Sequence, residues 1–190
     1  EILTTLMIGG TVCVPSEFDR MNNVATVMEQ MEVNIALLTP SFASLVKPSD
    51  VPHLRTLILG GEAMSGRHLS IWAGKVNLVN AYGPSECSVI ATINSKMTME
   101  SNPANIGVGL DRCWVVDPHN HHRLAPIGAV GELLVEGPTL ARGYLNNETK
   151  TAESFIKDPR WATAGQYVGL PTTGRRMYKT GDLVRVCSDV

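Results

Sequence analysis

The chain has 190 residues, with 16 basic and 18 acidic side chains and a formal net charge of −2. A hydrophobic fraction of 44% is enough to form a buried core, which excludes a wholly disordered chain. The near-zero charge argues against nucleic-acid binding through phosphate contacts and against a polybasic membrane surface. No stretch reaches the ~18 consecutive apolar residues of a membrane-spanning helix. The apolar stretch from Leu6 to Val14 has no basic leader of the signal-peptide type, so we expect a cytoplasmic protein.

The two ends of the sequence both resemble internal positions of a longer protein. The first residue is Glu1, and the apolar run from Leu183 to Val186 is typical of a strand that continues. We therefore expect that these residues are part of a longer chain.

The first half alternates predicted helices with short apolar strands. Strands separated by amphipathic helices indicate βαβ units and a parallel sheet, whose ligands bind beyond the carboxyl ends of the strands. Two loops follow such strand ends, 60–62 and 80–86. In chain order the elements are a helix containing Val24 to Met31, a strand over 33–38, a short helix over 42–46, a strand over 54–59, a helix capped by Ser65 with Leu69 and Trp72 facing inward, and a strand over 76–79.

After residue 88 the pattern becomes rich in predicted strands and turns. We therefore expect an α/β portion over 1–95 followed by a β-rich portion over 96–190. The predicted elements are strands over 89–93, 114–116, 131–135 and 177–186, a helix near 147–155, and a long exposed loop over 162–174.

Four cysteines occur singly, without a C-x-x-C pair, and leave three disulfide pairings open. Cys13, Cys113 and Cys187 lie in apolar, strand-like contexts. We expect buried free thiols in a reducing compartment. The fourth, Cys87, follows the 80–86 loop.

The 80–86 loop contains the residues best suited to nucleotide chemistry. Gly83-Pro84 forces a sharp turn between Tyr82 on one side and Ser85 and Glu86 on the other. The ring could stack on a base, the hydroxyl could contact phosphate, and the carboxylate could hold Mg²⁺. The same residue types occur in ordinary surface turns, so the loop alone leaves both interpretations open.

Three further segments have a plainer structural explanation when each is considered alone. Gly60-Gly61-Glu62 lets backbone approach a flat ligand, but a simple strand-to-helix turn is favoured. The glycines of 131–145 are interpreted as structural. Thr180-Gly181-Asp182 could bind sugar hydroxyls, but a turn aspartate is favoured.

The histidines at 119, 121 and 122 invite a zinc interpretation. The turn-forming pair Asp117-Pro118 precedes these histidines, and turn-forming Asn120 lies between the first two of them. No Cys or acidic residue follows at the spacing of a zinc ligand. The pattern favours a solvated hairpin loop. The basic group Arg175, Arg176 and Lys179 is interpreted as a solvated face, with weak attraction of phosphate as the alternative.

Four segments together indicate a family that none of them indicates alone. They are Gly60-Gly61-Glu62-Ala63, the 80–86 loop, the 131–145 segment with its Ala-Arg-Gly-Tyr-Leu ending, and Tyr178-Lys179-Thr180-Gly181-Asp182-Leu183. In this order they closely resemble the adenylation domains of nonribosomal peptide synthetases, within the acyl-activating superfamily. The resemblance covers essentially the whole chain, and 114–117 and 162–174 look more like fungal than bacterial members.

Acyl-CoA ligases of the same superfamily are the nearest alternative. They typically have Tyr-Gly-Met-Thr-Glu at the aromatic loop and Trp-x-x-Thr-Gly-Asp later. This chain has Asn-Ala-Tyr-Gly-Pro-Ser-Glu and Tyr-Lys-Thr-Gly-Asp, which favours the synthetase branch. Ser85 replaces the usual Thr but keeps the hydroxyl.

The resemblance implies an α/β fold, part of the large N-terminal subdomain of an adenylate-forming enzyme, with a parallel α/β layer followed by a β-rich distorted barrel. It implies that an amino acid and ATP form aminoacyl-AMP with release of pyrophosphate, with Mg²⁺ as a cofactor. The acyl group then passes to a phosphopantetheine thiol on a carrier domain. Carrier and condensation domains would be partners in the parent chain, with neither nucleic acid nor membrane involved.

The family's phosphate loop, hinge and catalytic lysine fall outside the 190 residues. We therefore expect no adenylation by these residues alone. A noncatalytic remnant remains an alternative of another class.

The resemblance also implies residue roles in nucleotide binding. Tyr82 would stack on adenine, with Asn80 and the Ala81 carbonyl near its amino group. The residues lining the other face of adenine would be Gly61, Glu62 and Ala63.

By the same resemblance, Ser85 would contact the α-phosphate and Glu86 would bind Mg²⁺. Asp182 would hold the ribose hydroxyls.

An acyl pocket is implied as well. None of its lining residues is charged, and burying an unpaired charge there would cost several kcal/mol. We therefore expect an apolar or aromatic amino acid as substrate. The lining residues would be Leu37, Ile58, Gly60, Ala81, Val89 and Ile90.

Overall fold

The structure, a computed structural model, describes residues 2–164 and 170–187. The chain forms two compact units, Glu1–Ala81 with Asn94–Gly107 and Tyr82–Ile93 with Val108–Val190. The first combines helices with a parallel sheet and the second is mainly antiparallel, so the α/β fold class is confirmed. Within the described ranges, no helix is both long and apolar enough to cross a membrane.

Three short strands build the parallel sheet of the first unit in the order β1-β2-β3. Parallel pairing brings their carboxyl ends to one edge, which is where the loops 60–62 and 80–81 begin. The strands are β1 (Ile35–Leu38), β2 (Thr56–Gly60) and β3 (Asn77–Tyr82), the last of which ends at the first residue of the second unit. The helices are α1 (Ile2–Met7), α2 (Glu17–Asn22), α3 (Val24–Gln30), α4 (Pro40–Ala43) and α5 (Gly66–Trp72), with a 3₁₀ turn over Pro48–Asp50.

The core of this unit forms where β2 and α5 bury their apolar residues. Leu57 and Leu59 alternate toward the core and are fully buried, and Trp72 is buried opposite them, as predicted together with Leu69. Burial of side chains of this size stabilises the unit by about 1.5–3 kcal/mol each. The expected helix after Ser65 and its inward face are therefore confirmed.

A histidine completes the cap of α5. The Ser65 N–H donates to His68 Nδ1 at 3.1 Å, so Nδ1 is the acceptor. In the neutral ring the proton is then on Nε2, which lies 3.1 Å from the Pro40 carbonyl oxygen and can donate to it. This buried ring ties the start of α5 to the start of α4.

The second unit is built on an antiparallel sheet with strand order β7-β6-β8-β10-β9. The central strand β8 pairs with β6 on one side and β10 on the other, and all six of its residues are buried. The strands are β6 (Arg112–Asp117), β7 (Asn120–Leu124), β8 (Gly131–Glu136), β9 (Phe155–Lys157) and β10 (Arg176–Val184). The remaining elements are the pair β4 (Thr92–Asn94) and β5 (Val108–Gly109), the helices α6 (Glu148–Ser154) and α7 (Arg160–Thr163), and a 3₁₀ turn over Ser85–Cys87.

A buried ion pair stands at the end of β8. Arg175 donates from Nε and Nη2 to the two oxygens of Glu136 at 2.8 and 2.7 Å. The Trp114 indole N–H donates to the same carboxylate at 2.8 Å. The guanidinium lies 5.1 Å from the Trp114 ring and 5.5 Å from the Trp161 ring. Bidentate geometry and the two aromatic rings offset the cost of burying both charges.

Several predicted boundaries are wrong where a cap or a turn decides them. The short helix begins at Pro40, before the expected residue 42, because Thr39 Oγ1 accepts from the Phe42 N–H and caps it. The strand expected from Val89 begins only at Thr92, since Ser88 and Val89 have positive φ angles of 55° and 79°. Residues 88–89 thus form a turn.

The expected exposed loop over 162–174 is wrong at its start, because Ala162 and Thr163 belong to α7 and Ala162 is buried. Its residues 165–169 lie outside the described residues. The histidine hairpin is confirmed, but its loop is shorter than expected. His121 and His122 already belong to β7 and are half-buried.

The expectation of buried thiols is wrong for two cysteines. Cys13 and Cys187 are exposed, because neither lies in a helix or strand that packs against a core. Cys113 is half-buried on β6, and Cys87 is fully buried.

Replacing Arg175 by leucine should destabilise the second unit strongly. The change leaves the Glu136 carboxylate buried without its cation, and removing one partner of a buried pair typically costs about 3–5 kcal/mol. Urea unfolding of the protein that contains this chain, followed by tryptophan fluorescence, measures the effect. Arg160→Leu, at an exposed position of α7, is the matched control and should be nearly neutral. Equal losses for the two variants would contradict the importance of the pair.

Candidate functional site

The residues predicted to bind ligand divide between the two units, and each group has its own geometry. The first unit contains Leu37, Ile58, Gly60–Ala63, Asn80 and Ala81, and the second contains Tyr82, Ser85, Glu86, Val89, Ile90 and Asp182.

Four of the predicted pocket residues share one face of the first unit's sheet. Leu37 pairs with Ile58, and Gly60 pairs with Ala81. Paired residues point to the same face, and alternation along β2 places Ile58 and Gly60 together, opposite to the core-facing leucines. A Cβ atom on Gly60 would lie 2.9 Å from the Ala81 carbonyl oxygen. The strand ends therefore carry small residues where space is limited.

Asn80 has both of its amide protons engaged by the main chain. Its Nδ2 donates to the carbonyls of Pro103 at 3.2 Å and Asn105 at 3.0 Å. An asparagine amide nitrogen has two protons, so only Oδ1 of the side chain is left to accept from a ligand.

Glu62 is fixed by the first turn of α4. Its Oε2 accepts from both the N–H and the hydroxyl of Ser41, at 2.9 and 2.5 Å. The hydroxyl bond, and then the N–H bond, hold the pKa of this carboxyl below its usual value. Gly61, Glu62 and Ala63 are exposed at the end of β2.

In the second unit, the loop after Tyr82 folds back on its own beginning. The Ala91 N–H donates to the Tyr82 carbonyl at 2.8 Å. A Cβ atom on Gly83 would lie 2.5 Å from both Ala91 N and Val89 O, so only glycine fits this approach. Within the loop the turn over Ser85–Cys87 leaves Ser85 exposed and Glu86 half-buried. Val89 is exposed and Ile90 is half-buried.

Glu86 accepts a hydrogen bond from a tyrosine distant in sequence. The Tyr144 hydroxyl donates to Glu86 Oε1 at 2.6 Å, and the Tyr178 hydroxyl lies 3.4 Å from the Tyr144 oxygen. The bond from Tyr144 is the main cause that lowers the pKa of Glu86. Burial, followed by the neighbouring hydroxyl, raises the pKa of Tyr178. Glu86 is therefore ionised while the Tyr178 phenol stays neutral.

Tyr82 and Asp182 meet although 100 residues separate them in sequence. The Tyr82 hydroxyl donates to Asp182 Oδ2 at 2.5 Å. Burial is the first cause that raises the pKa of Tyr82, and the bond to Asp182 is the second. The turn interpretation of Asp182 therefore misses its tyrosine partner.

Asp182 owes its position to a bulge in β10. Lys179 pairs with Leu134 and Leu183 with Glu132, so three residues of β10 oppose one residue of β8. Gly181, with a φ of 78°, donates its N–H to the buried Glu132 carboxylate at 3.1 Å.

The residue-by-residue interpretation of 131–145 missed Tyr144. It explained the glycines of this segment as structural and assigned the tyrosine no role. The only available signal was the recurrence of this tyrosine in the motif that carries the family resemblance.

Comparison with known proteins defines the class. The family model described as AMP-binding enzyme matches residues 1–145. The chain therefore belongs to the family of AMP-binding enzymes. It is similar to fungal peptide synthetases, as the sequence indicated. It is 57% identical over 190 residues to nonribosomal peptide synthetase 4 of Gibberella zeae. It is 52% identical over 190 residues to nonribosomal peptide synthetase inpA of Emericella nidulans. The chain spans 2% and 12% of the lengths of these relatives.

Solved structures agree on the fold. The adenylation domain AlmE of Vibrio cholerae, in complex with glycyl-adenosine-5'-phosphate, matches with a TM-score of 0.68 over 90% of this chain and 32% of that one, at 23% identity. PA1221, a synthetase protein containing adenylation and PCP domains, matches with a TM-score of 0.69 over 85% of this chain and 32% of that one, at 26% identity.

Cys87 should react with thiol reagents far more slowly than the exposed cysteines. Burial raises the pKa of its thiol to about 12, and the side chain has no exposed surface. The thiolate is the reactive form, so both factors protect it. Iodoacetamide labelling at mildly alkaline pH, mapped by peptide mass spectrometry, should modify Cys13 and Cys187 first. Labelling of Cys87 in the folded protein at the rate of Cys13 would disprove the buried position of this turn.

Proposed function

We propose that this chain is part of an amino-acid-activating adenylation domain of a larger nonribosomal peptide synthetase. The observation that most supports it is the arrangement in the second unit. There, the hydroxyl group of Tyr82 donates a hydrogen bond to the carboxylate of Asp182. The loop that begins at Tyr82 also contains the ionised Glu86. An aromatic face, a carboxylate for hydroxyl groups and a carboxylate for a cation suit the base, the ribose and the phosphates of ATP.

The family resemblance and the hydrogen bonds described above support the following adenosine contacts. Tyr82 presents its ring to adenine while its hydroxyl holds Asp182 Oδ2. Asp182 would accept from the ribose hydroxyls, with Oδ1 as the second acceptor. Asn80 would accept from the adenine amino group through Oδ1, next to the Ala81 carbonyl. The exposed backbone of Gly61, Glu62 and Ala63 would line the other face of adenine.

The phosphate contacts are assigned to the 3₁₀ turn. Ser85 would donate to the α-phosphate, and Glu86 would be the protein ligand of Mg²⁺. The described residues contain no cluster of three or more His, Cys, Asp or Glu side chains able to hold a metal ion. A single ionised carboxylate still fits Mg²⁺, which is commonly bound by one or two carboxylates together with substrate phosphates. When bound, Mg²⁺ neutralises charge on the phosphates and helps pyrophosphate to leave.

In the proposed reaction the substrate carboxylate attacks the α-phosphorus of ATP. A new phosphorus–oxygen bond forms as the bond to pyrophosphate breaks, which gives aminoacyl-AMP. A carrier-protein phosphopantetheine thiol would then displace AMP. The chain contributes position and electrostatics through the residues that hold the base, the ribose and the phosphates.

The residues proposed to line the acyl pocket are Leu37, Ile58, Gly60 and Ala81, which share one sheet face of the first unit, and Val89 and Ile90 of the second unit. All of these residues are uncharged, and the two at the strand ends, Gly60 and Ala81, are the smallest. We assign residues 1–95 to the pocket and adenine loop and residues 96–190 to the portion ending at the ribose-binding strand.

Carrier and condensation domains of the same parent protein are the proposed partners, in the cytoplasm. The relative PA1221, which contains adenylation and PCP domains, supports the carrier assignment.

An exchange assay tests this function. The adenylation domain that contains this chain should catalyse amino-acid-dependent exchange between ATP and labelled pyrophosphate, and should load a carrier domain. Transfer to free coenzyme A without a carrier would indicate an acyl-CoA ligase. Absence of exchange with any amino acid or other carboxylate would indicate a noncatalytic remnant.

Glu86→Gln should lower the exchange rate by at least about 100-fold, since the change removes the charge that attracts Mg²⁺ and keeps the size of the side chain. Glu148→Gln, on the exposed surface of α6, is the control and should leave the rate unchanged. Rates measured across a Mg²⁺ titration, with circular dichroism to verify folding, provide the readout. A variant with full activity would remove Glu86 from the metal site.

Apolar or aromatic amino acids should support faster exchange than Asp, Glu, Lys or Arg. An unpaired charge buried against this pocket costs several kcal/mol, so the ratio of kcat/KM values should exceed about 100-fold. A panel of the twenty common amino acids in the exchange assay measures the preference. Preferred activation of a charged amino acid would disprove the assignment of the pocket, but not the reaction.

A further inference from the structure

The carboxylate of Glu86 is held by a segment that the proposed reaction does not use. We call residues 139–144 the strap. Within the second unit the strap bonds to the loop of Glu86 at three places. The Ala141 N–H donates to the Glu86 carbonyl at 2.7 Å, the Ser88 hydroxyl donates to the Thr139 carbonyl at 2.7 Å, and the Tyr144 hydroxyl donates to Glu86 Oε1 at 2.6 Å. Only the last of these bonds involves the carboxylate.

The strap is itself fixed by β10 and α6. Arg176, at the start of β10, donates from Nη1 to the Ala141 carbonyl at 2.7 Å and from Nη2 to the Arg142 carbonyl at 2.8 Å. The Tyr144 N–H donates to Thr151 Oγ1 in α6 at 2.9 Å. The middle of the strap and its C-terminal end are therefore anchored to regular structure.

The ring of Tyr144 is confined on several sides. Phe155 packs edge-on against the ring, with the two centroids 5.8 Å apart. Lys150 Nζ lies 4.6 Å from the centroid of the Tyr144 ring. Both contacts restrict movement of the ring. Tyr178 approaches the phenol oxygen at 3.4 Å. The donor that reaches Glu86 thus has a defined position.

We propose that Tyr144 is a positioning residue for the metal-binding carboxylate. By donating to Oε1 from a fixed position, it selects one orientation of the Glu86 side chain and leaves Oε2 to face the cation. A glutamate on a half-exposed loop otherwise samples several rotamers, and binding a cation would have to select one of them. This inference rests on the proposed role of Glu86.

Tyr144→Phe tests the inference because it keeps the ring and its packing and removes only the donor. The probe is Mn²⁺ in place of Mg²⁺, bound together with a nonhydrolysable ATP analogue and detected by electron paramagnetic resonance. With the adenylation domain that contains this chain, the variant should bind Mn²⁺ about 10-fold more weakly, as expected for loss of a hydrogen bond to a charged group. The melting temperature should change little.

Glu86→Gln separates this inference from the proposed function. If Glu86→Gln leaves Mn²⁺ affinity unchanged, Glu86 is not the metal ligand. In that case the proposed role of Glu86 and the positioning role of Tyr144 are both wrong. If Glu86→Gln weakens binding and Tyr144→Phe does not, the metal site stands and the positioning role is wrong.

A double variant distinguishes positioning from a general structural role. In the Glu86→Gln background, Tyr144→Phe should have almost no further effect on Mn²⁺ affinity, because its only route to the cation is through that carboxylate. An undiminished effect in that background would overturn the inference. Lys157→Met, which removes a lysine charge at an exposed position of β9, is the matched control and should bind Mn²⁺ as the unchanged protein does.

Discussion

The second unit depends on the complete burial of its central strand β8. This strand contains two acidic residues, Glu132 and Glu136, and a buried carboxylate is stable only with partners. Glu136 accepts two hydrogen bonds from the guanidinium of Arg175, which immediately precedes β10. Glu132 accepts a hydrogen bond from the N–H of Gly181, which lies within β10. The two buried carboxylates of β8 therefore hold the neighbouring strand β10 at two positions, Arg175 and Gly181.

The geometry of the proposed ATP site follows from these two points. The bulge that Gly181 makes in β10 exposes Asp182 where the Tyr82 hydroxyl reaches it. At the start of the same strand, Arg176 holds the carbonyls of the strap, and the strap presents Tyr144 to Glu86. One antiparallel strand thus supports the residues proposed for the ribose and for the cation. A change in its register would displace both.

Local signals in the sequence predicted much of the fold. Ser65 followed by Leu69 and Trp72 specified both the start of α5 and its buried face, because a cap and a helical period act within a few residues. Burial of single residues was less predictable. Cys13 has an apolar neighbourhood in sequence, yet it lies outside any packed element and is exposed. Val89 has the composition of a strand, yet the close approach at Gly83 requires a turn there.

The sequence by itself determined the order of the elements from α3 to β3, the loops at the strand ends and the family, since these depend on short motifs and on periodicity. Only the tertiary structure decided which distant groups meet. Glu86 and Tyr144 are 58 residues apart, and Tyr82 and Asp182 are 100 residues apart. Their hydrogen bonds depend on strand register and on a bulge, which arise when the whole unit packs and leave no local trace in composition. For that reason Asp182 was interpreted as a turn residue when considered alone, and Tyr144 was not assigned a role.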